Sequence, residues 1–134
     1  MASEVVEIPL IIGGKKVTTK QQGQCVMPHD HQHVLGNFYM AGESEVGEAI
    51  ESSMLAWNTW SKTSLKERTK IFRKAAELLQ GQWRNTINAA TMLNQSKNAF
   101  QAEIDAACEL IDFFNFNCQY AEEIHNNQPL ISPK

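Results

Sequence analysis

The chain has 134 residues, 43% of them hydrophobic and 20% charged, with a formal charge of −3. That suits one globular domain with a core of its own and argues against a disordered tail. The mild acidity gives no pull toward nucleic acid or an anionic membrane, and no stretch approaches the roughly 20 apolar residues of a membrane span.

Residues 5–40 read as strands and turns. Residues 5–12 are rich in β-branched side chains and stop at Gly13-Gly14, a hairpin-type turn signal. Pro9 makes that strand an edge or an irregular one. Residues 24–27 and 34–40 are two further short candidates, separated by Pro28 and the polar stretch 29–33. No Lys or Arg precedes Lys15, so the start resembles neither a secretory signal nor an Arg-rich presequence.

After Gly42 the period becomes helical. Val46, Ala49, Ile50, Ser53, Met54, Trp57 and Trp60 recur at three- and four-residue spacing, with Ser44 as the expected N-cap. A second helix opens at the capping box Ser64-x-x-Glu67 and stops at Gly81. Its apolar side holds Ile71, Phe72, Ala75, Ala76, Leu78 and Leu79, and its outer side holds Lys66, Arg68, Lys70, Arg73 and Lys74. A shorter third helix uses Trp83, Ile87, Ala90 and Leu93, before a break at 94–98. A long last helix spans about 99–125, with Phe100, Ile104, Ala107, Cys108, Ile111, Phe114, Cys118, Ala121 and Ile124 on one stripe.

Several motifs suggest chemistry and are better read otherwise. His29, His31 and His33 alternate as zinc ligands on a strand could, but no fourth ligand is evident and the segment follows Pro28, so it reads as a solvated loop. The basic side of the second helix lacks interleaved aromatics and reads as a solvated face. Asn94-Gln95-Ser96 matches a glycosylation sequon, a chance match without a secretory signal. Cys25, Cys108 and Cys118 are too few and scattered for a disulfide framework. On one helix Cys108 and Cys118 would lie roughly 15 Å apart, beyond disulfide reach. On an apolar stripe both read as small hydrophobes rather than nucleophiles. Gly13-Gly14 falls far short of a G-x-G-x-x-G phosphate loop.

Glu109 stands apart. At about 100° per residue, Ala102, Ala106, Phe113, Phe116 and Tyr120 form a second apolar face of the long helix, and Glu109 falls in its middle. A helix with two apolar faces is expected between two layers. A carboxylate there needs a cation or hydrogen-bond donors. It is either half of a structural ion pair or an acid facing a ligand, and spacing does not choose.

The run Q-A-E-I-D-A-A-C-E-L-I-D-F-F from Gln101 to Phe114, followed by Phe116-Asn117 and Tyr120-Ala121, resembles a segment of the Δ1-pyrroline-5-carboxylate dehydrogenase branch of the aldehyde dehydrogenase superfamily. Ile8-Pro9 with Ile12-Gly13 is similar to the opening strand of that family. Pro28, His31 and His33 match its P-x-[NDH]-H-x-H turn, Ala49-Ile50-Glu51 and Trp60 its first helix, and Ala75–Leu79 its second. Thr91-Met92, Gln95 and Lys97 resemble the loop before the long helix, and Gln128-Pro129 the exit. Two departures stand out: Ser96 replaces the glycine of the family's Q-G-K loop, and Cys108 stands where alanine is usual.

The resemblance implies an α/β aldehyde-dehydrogenase-like fold. Residues 1–134 would be the helix-rich N-terminal part of its NAD-binding domain, with short strands at 5–40 and three to four helices. It implies NAD-dependent oxidation of L-glutamate γ-semialdehyde to L-glutamate in proline degradation, in a mitochondrial-matrix enzyme expected to be a homo-oligomer at full length. The cysteine nucleophile, the glutamate base, the cofactor site and the oligomerisation region would all lie outside this chain, as would a presequence. Catalytic, cofactor and metal residues are therefore expected to be absent here. Glu109 is the one implied substrate-binding residue, placed near the α-ammonium group of the aldehyde. The rival expectation is a free-standing, inactive helical module that binds a partner through its exposed faces.

Overall fold

A computed structural model describes residues 3–131 of the chain. The chain forms two compact units: one runs to Lys62 and resumes over Ala89–Lys97, and the other holds Thr63–Asn88 and continues from Asn98.

The first unit contains five strands, β1 (Val6–Ile8), β2 (Leu10–Ile12), β3 (Lys15–Val17), β4 (Gln22–Met27) and β5 (Asp30–Tyr39). Pro9 does more than roughen the first expected strand. It divides it, so that β1 joins a sheet of order β1-β5-β4 while β2 pairs with β3. Gly13 and Gly14, at φ of 57° and 77°, form the β2–β3 turn, where both positions demand left-handed backbone. β1 runs parallel to β5, with Val6 opposite Gly36, and β4 runs antiparallel to β5 with a bulge after Cys25. Gly36 is required by closeness: a Cβ there would lie 2.9 Å from the Val6 carbonyl oxygen. The turn between β4 and β5 is only Pro28-His29. The expected loop at 29–33 is therefore corrected: Asp30, His31, Gln32 and His33 are the opening residues of β5, because pairing of Met27 with Asp30 carries the strand to the turn.

Helix α1 (Glu43–Trp60) starts two residues before the expected site. Its N-cap is Gly42, not Ser44, because the Glu45 carboxylate accepts the Gly42 N–H at 2.7 Å. None of its residues is buried. The core of this unit is small. Met27, Leu35 and Thr91 are buried, and Ala90 and Leu93 face Val6, Ile8 and Leu35 across an apolar pocket of about 200 Å³. Thr91 and its neighbours belong to α3 (Arg84–Gln95).

The second unit packs helix against helix. α2 (Leu65–Gln80) opens at the expected capping box: Ser64 Oγ accepts the Glu67 N–H at 3.2 Å, and the Glu67 carboxylate accepts from Ser64 Oγ at 2.8 Å. It ends at Gly81 as expected. Thr69, Ala76 and Leu79 are buried, while Ile71 and Phe72 of the expected apolar side are exposed. Arg68 is half-buried rather than part of a solvated face.

The long helix is present but is not uniform. α4 (Ala99–Ala102) passes into a π-helical turn (Glu103–Cys108) and then α5 (Glu109–Asn126). Asn98 caps it, accepting the Gln101 N–H at 2.9 Å. α5 packs on α2: Phe72 and Phe114 rings lie 6.1 Å apart and tilted, and Cys118 Sγ donates to the Thr69 carbonyl at 3.5 Å.

Candidate functional site

The first residue of α5 is Glu109. Its N–H donates to the carbonyl of Ile104, five residues back, which closes the π turn. Its side chain is exposed. Along α5 the same face carries Phe113, Phe116 and Tyr120, each at least half exposed, with Phe116 and Tyr120 stacked at 6.2 Å. The second face read from the sequence is therefore present from Glu109 onward and is uncovered among the described residues. Of the two readings left open, the structural ion pair finds no partner: among the described residues Glu109 makes no hydrogen bond or ion pair.

Sequence reasoning did not find the most connected polar group of the same unit. Glu103, at the start of the π turn, receives Nε and Nη2 of Arg84, the former at 2.8 Å, and Nδ2 of Asn88 at 2.5 Å. These hydrogen bonds, the one from Arg84 foremost, hold the Glu103 carboxyl below its usual range, and Glu103 raises Arg84 in turn. Cys108 Sγ lies 3.4 Å from Arg84 Nη2 and 3.9 Å from the same carboxylate. Its expected role as a small hydrophobe is corrected: the thiol faces a guanidinium and a carboxylate. The one available signal was the four-residue spacing of Arg84 and Asn88, which puts both on one side of α3.

The π turn also explains why the stripe fails at Phe100 and Ile104; Ile124, at its other end, is exposed as well. From α5 back, Ala121, Cys118, Phe114, Ile111 and Ala107 are covered in regular α spacing. Continued at that spacing the stripe would take Ile104 and Phe100. Both are exposed, Phe100 at 75%, and Ala102 is covered in their place at 0%. Ala102 to Ala107 is five residues, the span of a π-type i→i+5 hydrogen bond.

The remaining candidates are dispersed. His29 Nδ1 pairs with Ser96 Oγ at 2.9 Å, and no three metal-ligating side chains cluster among the described residues. Cys25 is half-buried on β4 and Cys118 is buried under α2. Gly13-Gly14 joins two antiparallel strands, whereas a pyrophosphate cradle joins a strand to a helix N-terminus. Gly13-Gly14 is therefore not a pyrophosphate cradle.

The aldehyde dehydrogenase family model matches residues 16–133. The chain belongs to the aldehyde dehydrogenase family. Among relatives of this family, the human mitochondrial Δ1-pyrroline-5-carboxylate dehydrogenase is 42% identical over 126 residues, covering 94% of this chain and 22% of that protein. The corresponding enzyme of Agaricus bisporus is 43% identical over 123 residues, covering 92% and 22%. Among solved structures, a Mycobacterium tuberculosis Δ1-pyrroline-5-carboxylate dehydrogenase superposes with a TM-score of 0.92 at 41% identity, over 98% of this chain and 25% of that one, and has also been solved with NAD bound. The fold is thus the aldehyde dehydrogenase fold, of which this chain forms the strands and helices described above. The chain spans about a quarter of the length of the relatives it matches.

Proposed function

We propose that this chain serves as the N-terminal part of the NAD-binding domain of a longer dehydrogenase. That enzyme oxidises L-glutamate γ-semialdehyde, the open form of Δ1-pyrroline-5-carboxylate, to L-glutamate, with NAD⁺ as oxidant, in proline degradation. Identity above 40% over nine-tenths of the chain, to proteins bearing that name, supports the reading. So does the mitochondrial naming of several of them for a matrix location, and a homo-oligomer of full-length subunits belongs to the same reading. All the relatives named are enzymes, which leaves the free-standing module without support. In this reading the nucleophile, the water-activating base and the NAD site lie in the rest of the longer chain.

The observation that carries the proposal is Glu109: an unpartnered carboxylate set on an exposed aromatic face. A carboxylate covered by protein needs a cation. The α-ammonium group of the substrate is one, and the aromatic residues beside Glu109 can cover its methylene chain. Glu109 then orients the substrate without taking part in bond making. The test is Glu109→Ala in the full-length enzyme, assayed with glutamate γ-semialdehyde and with 5-oxopentanoate, which lacks the amine. Loss of one charge-assisted contact lowers kcat/KM for the first by about tenfold to a hundredfold and leaves the second nearly unchanged. Equal losses for both, with a lower melting temperature, would make Glu109 a structural residue only.

A further inference from the structure

The covered stripes on the two sides of the π turn are out of phase by one residue. Ala102 and the half-covered Glu103 and Ala106 mark one side. Ala107, Ile111, Phe114, Cys118 and Ala121 mark the other. A regular α-helix through 99–126 could keep only one of these sets inside. Keeping the second would turn Phe100 and Ile104 inward and swing Glu103 away from Arg84 by about 100°, one residue of helical phase. Keeping the first would place Glu109, Phe113, Phe116 and Tyr120 on the covered side. Apolar burial alone favours the former, since Phe100 and Ile104 outweigh Ala102 and Ala106. In the observed register Arg84 and Asn88 grip Glu103, a set of bonds that a swing of Glu103 by about 100° would break.

We propose that Glu103 is a positioning residue for Glu109: gripped by Arg84 and Asn88, it holds the π register, and that register sets where the Glu109 carboxylate stands. Glu109 is the first residue beyond the turn, and its own N–H makes the closing bond to Ile104. Loss of the grip shifts that bond to Asp105, four residues back, and moves the Glu109 backbone with it. An orienting group misplaced by about 1 Å is enough to reduce catalysis substantially. This inference rests on the reading of Glu109 as the partner of the substrate amine.

The test uses the full-length enzyme with Glu103→Gln, which keeps the shape and removes the charge, and Arg84→Lys, which keeps the charge and removes the fork of donors. Both should lower kcat/KM for glutamate γ-semialdehyde at least several-fold more than for 5-oxopentanoate. In a Glu109→Ala background that excess should vanish, because the two changes act through one contact. A crystal structure of the Glu103→Gln enzyme should show the Glu109 N–H on the Asp105 carbonyl. Equal losses for both aldehydes, an excess that survives Glu109→Ala, or a retained bond to Ile104 would each overturn the proposal. Failure of the underlying reading has a different signature: Glu109→Ala by itself leaves the ratio of the two aldehydes unchanged.

Discussion

Arg84 and Glu103, nineteen residues apart, form a forked ion pair in which Nε and Nη2 of one guanidinium both reach Oε1 of one carboxylate. The pair joins the start of α3 to the start of the π turn, two places that no local sequence preference would connect. It has a defined pH signature. A carboxyl lowered in the fold stabilises it above the ordinary carboxylate pKa, and that contribution is lost as pH falls through the lower, folded value. Glu103→Gln should therefore melt below the parent at neutral pH. The gap should hold down to about pH 5 and close on further acidification. Thermal melts of both proteins from pH 7 to pH 3 check this, and a gap that widens in acid would contradict it.

Ser96 is a second point of stored cost. Among the described residues it is the non-glycine residue with positive φ, at 53°. Left-handed backbone costs a residue with a Cβ about 1 kcal/mol. Here the hydroxyl offsets part of it through His29. Ser96→Ala keeps the strain and loses that bond, so it should be less stable than Ser96→Gly by about 1 kcal/mol. Denaturant midpoints of the two variants decide it. The reverse order would mean that the backbone at 96 is not strained.

The capping box of α2 gives a simpler expectation. Removing the Ser64 hydroxyl leaves the Glu67 N–H without its acceptor, so Ser64→Ala should cost about 1 kcal/mol, and Ser64→Asp should cost less than half of that. Urea denaturation followed by circular dichroism measures both.

What was legible in the sequence divides along the same line as these predictions. Ser64 with Glu67, Gly81, and Gly13-Gly14 mark boundaries through bonds made within a few residues, and the structure has all of them. Ser44 was a plausible cap by type, but Glu45 reaches back to Gly42 and moves the start. The π turn could not be read from a fixed 100° step, because its cause is the grip on Glu103 from α3. The error fell on Phe100 and Ile104, on the far side of the turn, and on Ile124 near the end of α5, while Glu109, Phe113, Phe116 and Tyr120 kept the common face assigned to them. Residues 30–33 read as loop for a related reason: their strand character comes from β4 pairing, and their composition is that of a loop.

The 134-residue chain on its own should be a poor soluble protein. None of the residues of α1 is buried, and Ile50, Met54, Leu55 and Trp57 line one open groove. An apolar surface of that kind binds hydrophobic dyes and self-associates. Strong dye fluorescence and oligomers by light scattering are expected from the purified chain. A dye-silent, monodisperse monomer would contradict the exposure described for α1.

The parallel pairing of β1 with β5 has a consequence during synthesis. Glu7 and Asn37 sit side by side yet are thirty residues apart, so β1 leaves the ribosome long before its partner exists. The β4–β5 hairpin can close as soon as Tyr39 emerges. Until β1 docks, the other edge of β5 is bare, and Gly36 offers no side chain to shield its backbone from an extended strand of a neighbouring nascent chain. Any fusion that delays docking of residues 6–8 should therefore lower the yield of properly folded protein on crowded polysomes, while leaving molecules that escape with an unaltered native state.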